Sequence, residues 1–75
     1  MIIDNTLTKE ELEFCYYKRG NAGGFKTKLI ETIFAADDGN RAKLAQAFPD
    51  LVEVVVRYGN ERGYWKDLET RFSNL

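Results

Sequence analysis

Apolar residues in this chain return at intervals of three and four, and turn-forming residues cut that rhythm into short pieces. The clearest stretch follows Gly24, where Phe25, Leu29, Ile33 and Ala36 make one stripe with Ile30 and Phe34 beside it. Lys26, Thr27, Glu31 and Thr32 fill the rest of the wheel, so the spacing predicts an amphipathic helix over 25–36. Upstream, Thr8-Lys9-Glu10-Glu11 has the form of a capping box, in which the Thr8 hydroxyl accepts from the Glu11 amide and the Glu11 carboxylate reaches back. It predicts a helix over 8–19. On that helix Leu12, Cys15, Tyr16 and Arg19 share one stripe and Phe14 and Tyr17 another, an apolar circumference wider than a simple surface helix needs. Such a helix either lies between two neighbours or shows an aromatic strip to a partner.

Gly20-Asn21-Ala22-Gly23-Gly24 separates these two segments, because glycine and asparagine tolerate left-handed backbone conformations. Asp37-Asp38-Gly39-Asn40 ends the second helix and offers a capping carboxylate to a third over 40–48, with Leu44, Ala45 and Phe48 facing inward. Pro49 suits a first helical turn, where its missing amide hydrogen is harmless, and Asp50 beside it suits the positive end of the helix dipole. A fourth helix is predicted over 50–58. Gly59-Asn60 and Gly63 then punctuate the chain before a last helix over 64–72, on which Trp65, Leu68 and Phe72 form one stripe that closes the core. The expected fold is all-α: one domain over 1–75, a bundle of four to five short helices, with no internal repeat or linker.

The fourth segment admits a second reading. Val52, Val54, Val56 and Tyr58 alternate as a strand would, and the stretch is rich in β-branched residues. As a helix it places Leu51, Val52, Val55, Val56 and Tyr58 on a broad inner face, with Glu53 and Arg57 outside. The helix is favoured because no second strand of comparable quality exists to satisfy the backbone of the first.

Length limits what such a domain can hold. A chain of 75 residues buries only about 60% of the surface its unfolded form exposes, which leaves little room for an internal active-site cavity and makes self-association plausible. Five Phe, four Tyr and one Trp argue against disorder, and a net charge of -1 offers no overall field for nucleic acid or an anionic membrane. No apolar run approaches the roughly 20 residues of a membrane span, and MIIDNTLTKEE lacks the basic start and apolar run of a signal peptide, so a cytosolic location is expected. With no histidine and one cysteine, the usual zinc and transition-metal ligand sets are missing, and neither metal nor cofactor is expected. Cys15 has no histidine to activate it and reads as a small buried side chain; Ser73, the only serine, stands close to the end of the sequence and is equally implausible as a nucleophile.

Several constellations nevertheless suggest chemistry. Gly20 to Thr27 approaches the phosphate loop G-x-x-x-x-G-K-[ST], but Phe25 occupies the second glycine position and no strand precedes it. The acidic pairs Glu10 with Glu13, Asp37 with Asp38, and Asp67 with Glu69 have simpler roles as caps or exposed faces than as acid–base groups. Lys18, Arg19, Lys26 and Lys28 form the one locally basic stretch, uninterrupted by acid between Glu13 and Glu31. It suits an anion, a nucleic-acid backbone or an acidic protein surface, or else is a solvated face balanced elsewhere. The segment Arg41 to Tyr58 invites comparison with a DNA-reading helix-turn-helix, yet Pro49 stands where a turn glycine belongs, and Asp50 and Glu53 would repel phosphates.

Ile33-Phe34-x-Ala36-Asp37, Asn40-Arg41-x-x-Leu44, Phe48-Pro49, Tyr58 and Gly63-Tyr64-Trp65-x-x-Leu68 together resemble a family of short helical proteins encoded by bacteriophages, prophages and mobile elements. The likeness covers about half of the chain and rests on core and capping positions. It implies a helical fold and a mobile-element origin and supplies no catalytic residue. The expectation is therefore a non-enzymatic protein that binds a larger host protein, an inhibitor of a host defence system in the manner of anti-CRISPR proteins, with Phe14, Tyr17, Lys18, Arg19, Lys26 and Lys28 as contacts. Alternatives are a DNA-binding, transcription-modulating protein using the helices around Pro49, and a binder of phosphorylated ligands using the Gly-rich loop.

Overall fold

The computed structural model describes residues 7–75, all of whose regular structure is helical: α1 (Lys9–Lys18), α2 (Gly24–Ala35), α3 (Asp38–Ala47), α4 (Pro49–Asn60) and α5 (Tyr64–Ser73). The first six residues, on which the signal-peptide reading partly rests, lie outside the described residues. Among the described residues no helix is long and apolar enough to cross a membrane.

Each helix starts where the local chemistry places it. The Thr8 hydroxyl accepts from the Glu11 amide at 3.1 Å, and Glu11 Oε1 accepts from the Thr8 amide at 3.0 Å, completing the capping box. Asp37 Oδ1 accepts from the Asn40 amide at 2.8 Å and caps α3, while Pro49 opens α4. At the end of α1, Gly20 takes a φ of +79°, the Gly20 amide bonds to the Tyr17 carbonyl and the Asn21 amide to the Tyr16 carbonyl. That paired closure is a Schellman stop, so the first glycine of the loop terminates a helix.

α1 and α4 form the spine. They run side by side in the same direction, since Glu10 and Asp50 line one cleft at their beginnings and Lys18 bonds to Tyr58 at their ends. α2 and α5 each pack against both, and α3 packs on α4. α4 thus touches all four other helices, which explains its composition: Leu51, Val52, Val54 and Val55 are buried, Val56 and Tyr58 half-buried, and only one narrow strip holding Glu53 stays wet. The apolar alternation that resembled a strand is a helix surrounded on most of its circumference. Phe14, Cys15, Ile30, Ile33 and Leu68 are fully buried between these elements. α1 owes its wide apolar circumference to three neighbours, α2, α4 and α5.

One expectation changes. Phe25, placed on the inner stripe of α2, is 65% exposed. The buried arc of α2 centres on Leu29, Ile30 and Ile33, and Phe25 stands at one edge of it, in the first turn. On α3 and just after it, Leu44, Ala45 and Phe48 do face inward, packed half-buried against the core, although α3 contributes no fully buried residue.

Candidate binding face

Phe14 is the hub of an aromatic cluster that reaches the surface. Its ring centroid lies 5.0 Å from that of Tyr58, 5.8 Å from Tyr17, 6.0 Å from Trp65 and 6.2 Å from Phe34. Phe14 itself is 0% exposed, so its proposed role as a partner contact is corrected: it supports the rings that reach solvent. Those rings form a continuous row, with Tyr17 and Phe34 at 6.4 Å, Phe34 and Tyr58 at 5.9 Å, and Tyr58 and Trp65 at 6.0 Å. Phe34 remains 41% exposed and the other three are half-buried. Four helices supply this row, one ring each from α1, α2, α4 and α5. Packing from below fixes the rings before any partner arrives, which limits the ordering entropy of binding.

The basic stretch does not stay together. Lys18 Nζ donates to Tyr58 Oη at 2.9 Å and lies 4.9 Å from the Tyr58 centroid and 5.4 Å from that of Trp65. It belongs to the aromatic row. Arg19 instead lies 4.7 Å over Phe72, whose ring meets Tyr16 edge-on, forming a second, separate aromatic contact between α1 and α5. Lys26 pairs with Glu13 and ties α2 to α1, so it is withdrawn from the anion-binding set. Lys28 is exposed on α2 and joins neither aromatic group.

Beside Lys18 the turn between α4 and α5 opens into a cleft of about 460 Å³ lined by Tyr58, Gly59, Asn60, Glu61, Arg62, Gly63, Trp65 and Lys66. Glu61 is already engaged, accepting from Arg57 Nε at 2.9 Å and Nη2 at 2.8 Å, and this bond holds its carboxyl below the ordinary range. Gly63 shapes the turn with a φ of +85°.

A buried charge lies under the opposite end of the spine. Glu11 is 6% exposed, and Glu11 Oε2 accepts from Tyr64 Oη at 2.8 Å, with Arg71 Nη2 at 3.5 Å. Burial pushes the Glu11 carboxyl up, but the Thr8 amide, the Tyr64 hydroxyl and the Arg71 guanidinium outweigh it and hold the group below its usual value. Burial, and then the bond to Glu11, pushes the Tyr64 phenol up. Its role is structural, latching α1 to α5.

The remaining motifs resolve into architecture. In the Gly-rich loop the lysine is paired with Glu13 and Gly20 closes α1, leaving no phosphate cradle of the kind the motif describes. The would-be recognition helix, α4, is the most enclosed element of the fold, and the charged residues it shows to solvent are Asp50, Glu53 and, in part, Arg57, which is paired with Glu61. Cys15 is fully buried, and burial pushes its thiol up. No acidic cluster suited to a metal ion occurs among the described residues.

Comparison with protein-family models, with curated proteins and with solved structures gives no match. Sequence reasoning placed Tyr17 and Lys18 on it and missed Phe34, Tyr58 and Trp65, which it assigned to core stripes. The signal was present in an aromatic at the last turn of α2 (Phe34), another at the last turn of α4 (Tyr58) and two at the first of α5 (Tyr64 and Trp65). That these rings would meet across four helices was not legible.

Proposed function

We propose that this chain is a small non-enzymatic binding protein of the type carried by phages and mobile elements, acting in the host cytosol by covering a functional surface of a larger host protein. A component of a host defence system is the partner class this reading favours, and inhibition by occupancy is the mode of action. The observation that carries it is the half-exposed row Tyr17, Phe34, Tyr58 and Trp65, fixed from below by Phe14. Preordered aromatic side chains, Tyr and Trp above all, are enriched among the residues that carry protein-binding energy. Small size suits the role, because a standard interface needs about 800 Å² per partner and the described residues expose 5159 Å² in all.

The test places a photo-reactive benzophenone amino acid at position 34 and, as a control, at exposed Gln46 on α3. Irradiation in host cells should give one specific adduct from position 34 and none from position 46. With the partner purified, Phe34→Ala, which gives up its ring contacts to Phe14, Tyr17 and Tyr58 and so some stability, should keep its circular dichroism spectrum and weaken affinity by about tenfold or more. Equal adducts from both positions, or unchanged affinity in Phe34→Ala, removes this face from the function.

A further inference from the structure

Which chemistry the face accepts follows from the charges around the Tyr58 and Trp65 rings. The Lys18 ammonium carries three donor hydrogens, and Tyr58 Oη takes one of them. Lys18 is exposed, yet its ammonium is held by the hydroxyl and lies beside the Tyr58 and Trp65 rings. A lysine side chain normally gives up considerable rotamer freedom when it engages a ligand, and here that ordering is already done within the fold. Arg62 and Lys66, both exposed, line the adjoining cleft without an ion-pair partner among the described residues. The one carboxylate of the cleft, Glu61, is held in its two-point bond to Arg57. Three cations and no free acid therefore border a cleft walled by Tyr58 and Trp65.

We infer that the partner presents an acidic peptide segment to this cleft, with an apolar side chain set against Tyr58 and Trp65 and flanking carboxylates on Lys18, Arg62 and Lys66. The inference rests on the protein-binding reading and specifies the chemistry of the partner. Charge complementarity favours a carboxylate-bearing segment, and ring geometry separates it from single-stranded nucleic acid. Base stacking needs an open ring face. The Tyr58 and Trp65 rings stand edge to face at 78°, Phe14 meets Trp65 at 83° from below, and Lys18, bonded to Tyr58 Oη at 2.9 Å, lies at the Tyr58 rim and 5.4 Å from the Trp65 centroid. What they offer is an apolar wall beneath a fixed ammonium.

Fluorescence anisotropy tests this with a labelled octapeptide in which Asp and Glu flank a central Leu, its Asn and Gln counterpart, and labelled decathymidylate. The acidic peptide should bind about tenfold or more tightly than the amide peptide and weaken as salt rises. The double variant Arg62→Glu, Lys66→Glu should lose that preference while keeping its circular dichroism and melting temperature, since both side chains are exposed. Equal binding of the two peptides, no binding of either, or tighter binding of decathymidylate overturns the inference. Cross-linking from position 34 reads the face separately. An adduct and partner affinity retained in full by the double variant overturn the acidic assignment and leave the face standing, whereas loss of position-specific cross-linking in the wild-type chain removes both.

Discussion

Removing the buried carboxylate of Glu11 should be among the most damaging single changes to this domain. In Glu11→Ala the Tyr64 hydroxyl, which donates to Glu11 at 2.8 Å, is left buried without its acceptor, at about 1–3 kcal/mol. The Thr8 amide loses the reciprocal half of the capping box, worth about 1 kcal/mol. The Arg71 contact, at 3.5 Å, adds less than about 1 kcal/mol because it is long and Arg71 keeps its 2.9 Å bond to Asp67. The sum is about 3 kcal/mol. A domain of 75 residues has a total stability of about 4–11 kcal/mol, so this loss lowers the melting temperature by about 12–24 °C. Glu11→Gln keeps the shape and should lose about half as much. Because the folded carboxyl lies below its ordinary value of 4.5, the stability it contributes is complete above that pH and disappears as pH falls through the lowered folded value. Urea melts of the wild type and Glu11→Gln between about pH 7 and pH 2 should therefore converge toward the acid end. A gap that stays constant across that range, or a Glu11→Ala loss under about 1 kcal/mol, refutes the reasoning.

Three further outcomes follow from the same packing. Phe14→Ala removes the hub of the aromatic cluster and should lose about 3–5 kcal/mol, with a shift in Trp65 fluorescence as its edge contact disappears; a loss below about 1 kcal/mol would contradict its full burial. Gly63→Ala meets no atom within 4 Å but must hold a φ of +85°, so it should destabilise by about 1–2 kcal/mol through backbone strain alone, as read by thermal melting. Cys15 should resist a thiol-reactive disulfide reagent in the native state and react at the rate of a free thiol in denaturing urea, because it is fully buried and its thiol is pushed up; fast native labelling would show that α1 opens locally.

Helix existence was legible in the chain because its causes are local. Thr8 with Glu11, Asp37, Pro49 and Gly63 act on backbone groups within four residues of themselves, and the three-and-four spacing of Leu29, Ile30 and Ile33 needs no knowledge of what they pack against. The same locality explains the errors. Phe25 and Phe34 stand at opposite edges of one buried arc and look equivalent on a helical wheel, yet Phe34 meets Tyr17 and Tyr58 while Phe25 lies exposed. Phe14 and Tyr17 likewise read as one strip, and only the seat of α1 between α2, α4 and α5 decides that Phe14 is interior and Tyr17 at the margin.

By itself, then, the sequence determined an all-α domain, the approximate extent of each helix, and an apolar position for Cys15, since short-range capping and helical periodicity govern all of these. The tertiary structure decided which neighbour each flank receives. It broke the run of basic residues apart, giving Lys26 to Glu13 and Lys18 to Tyr58, forty residues away along the chain. It also joined Glu11 to Tyr64 across 53 residues and gathered rings from four helices into one face. Such pairings depend on the direction in which helices pack, and here the parallel course of α1 and α4 brings their basic, aromatic ends together at one pole of the molecule.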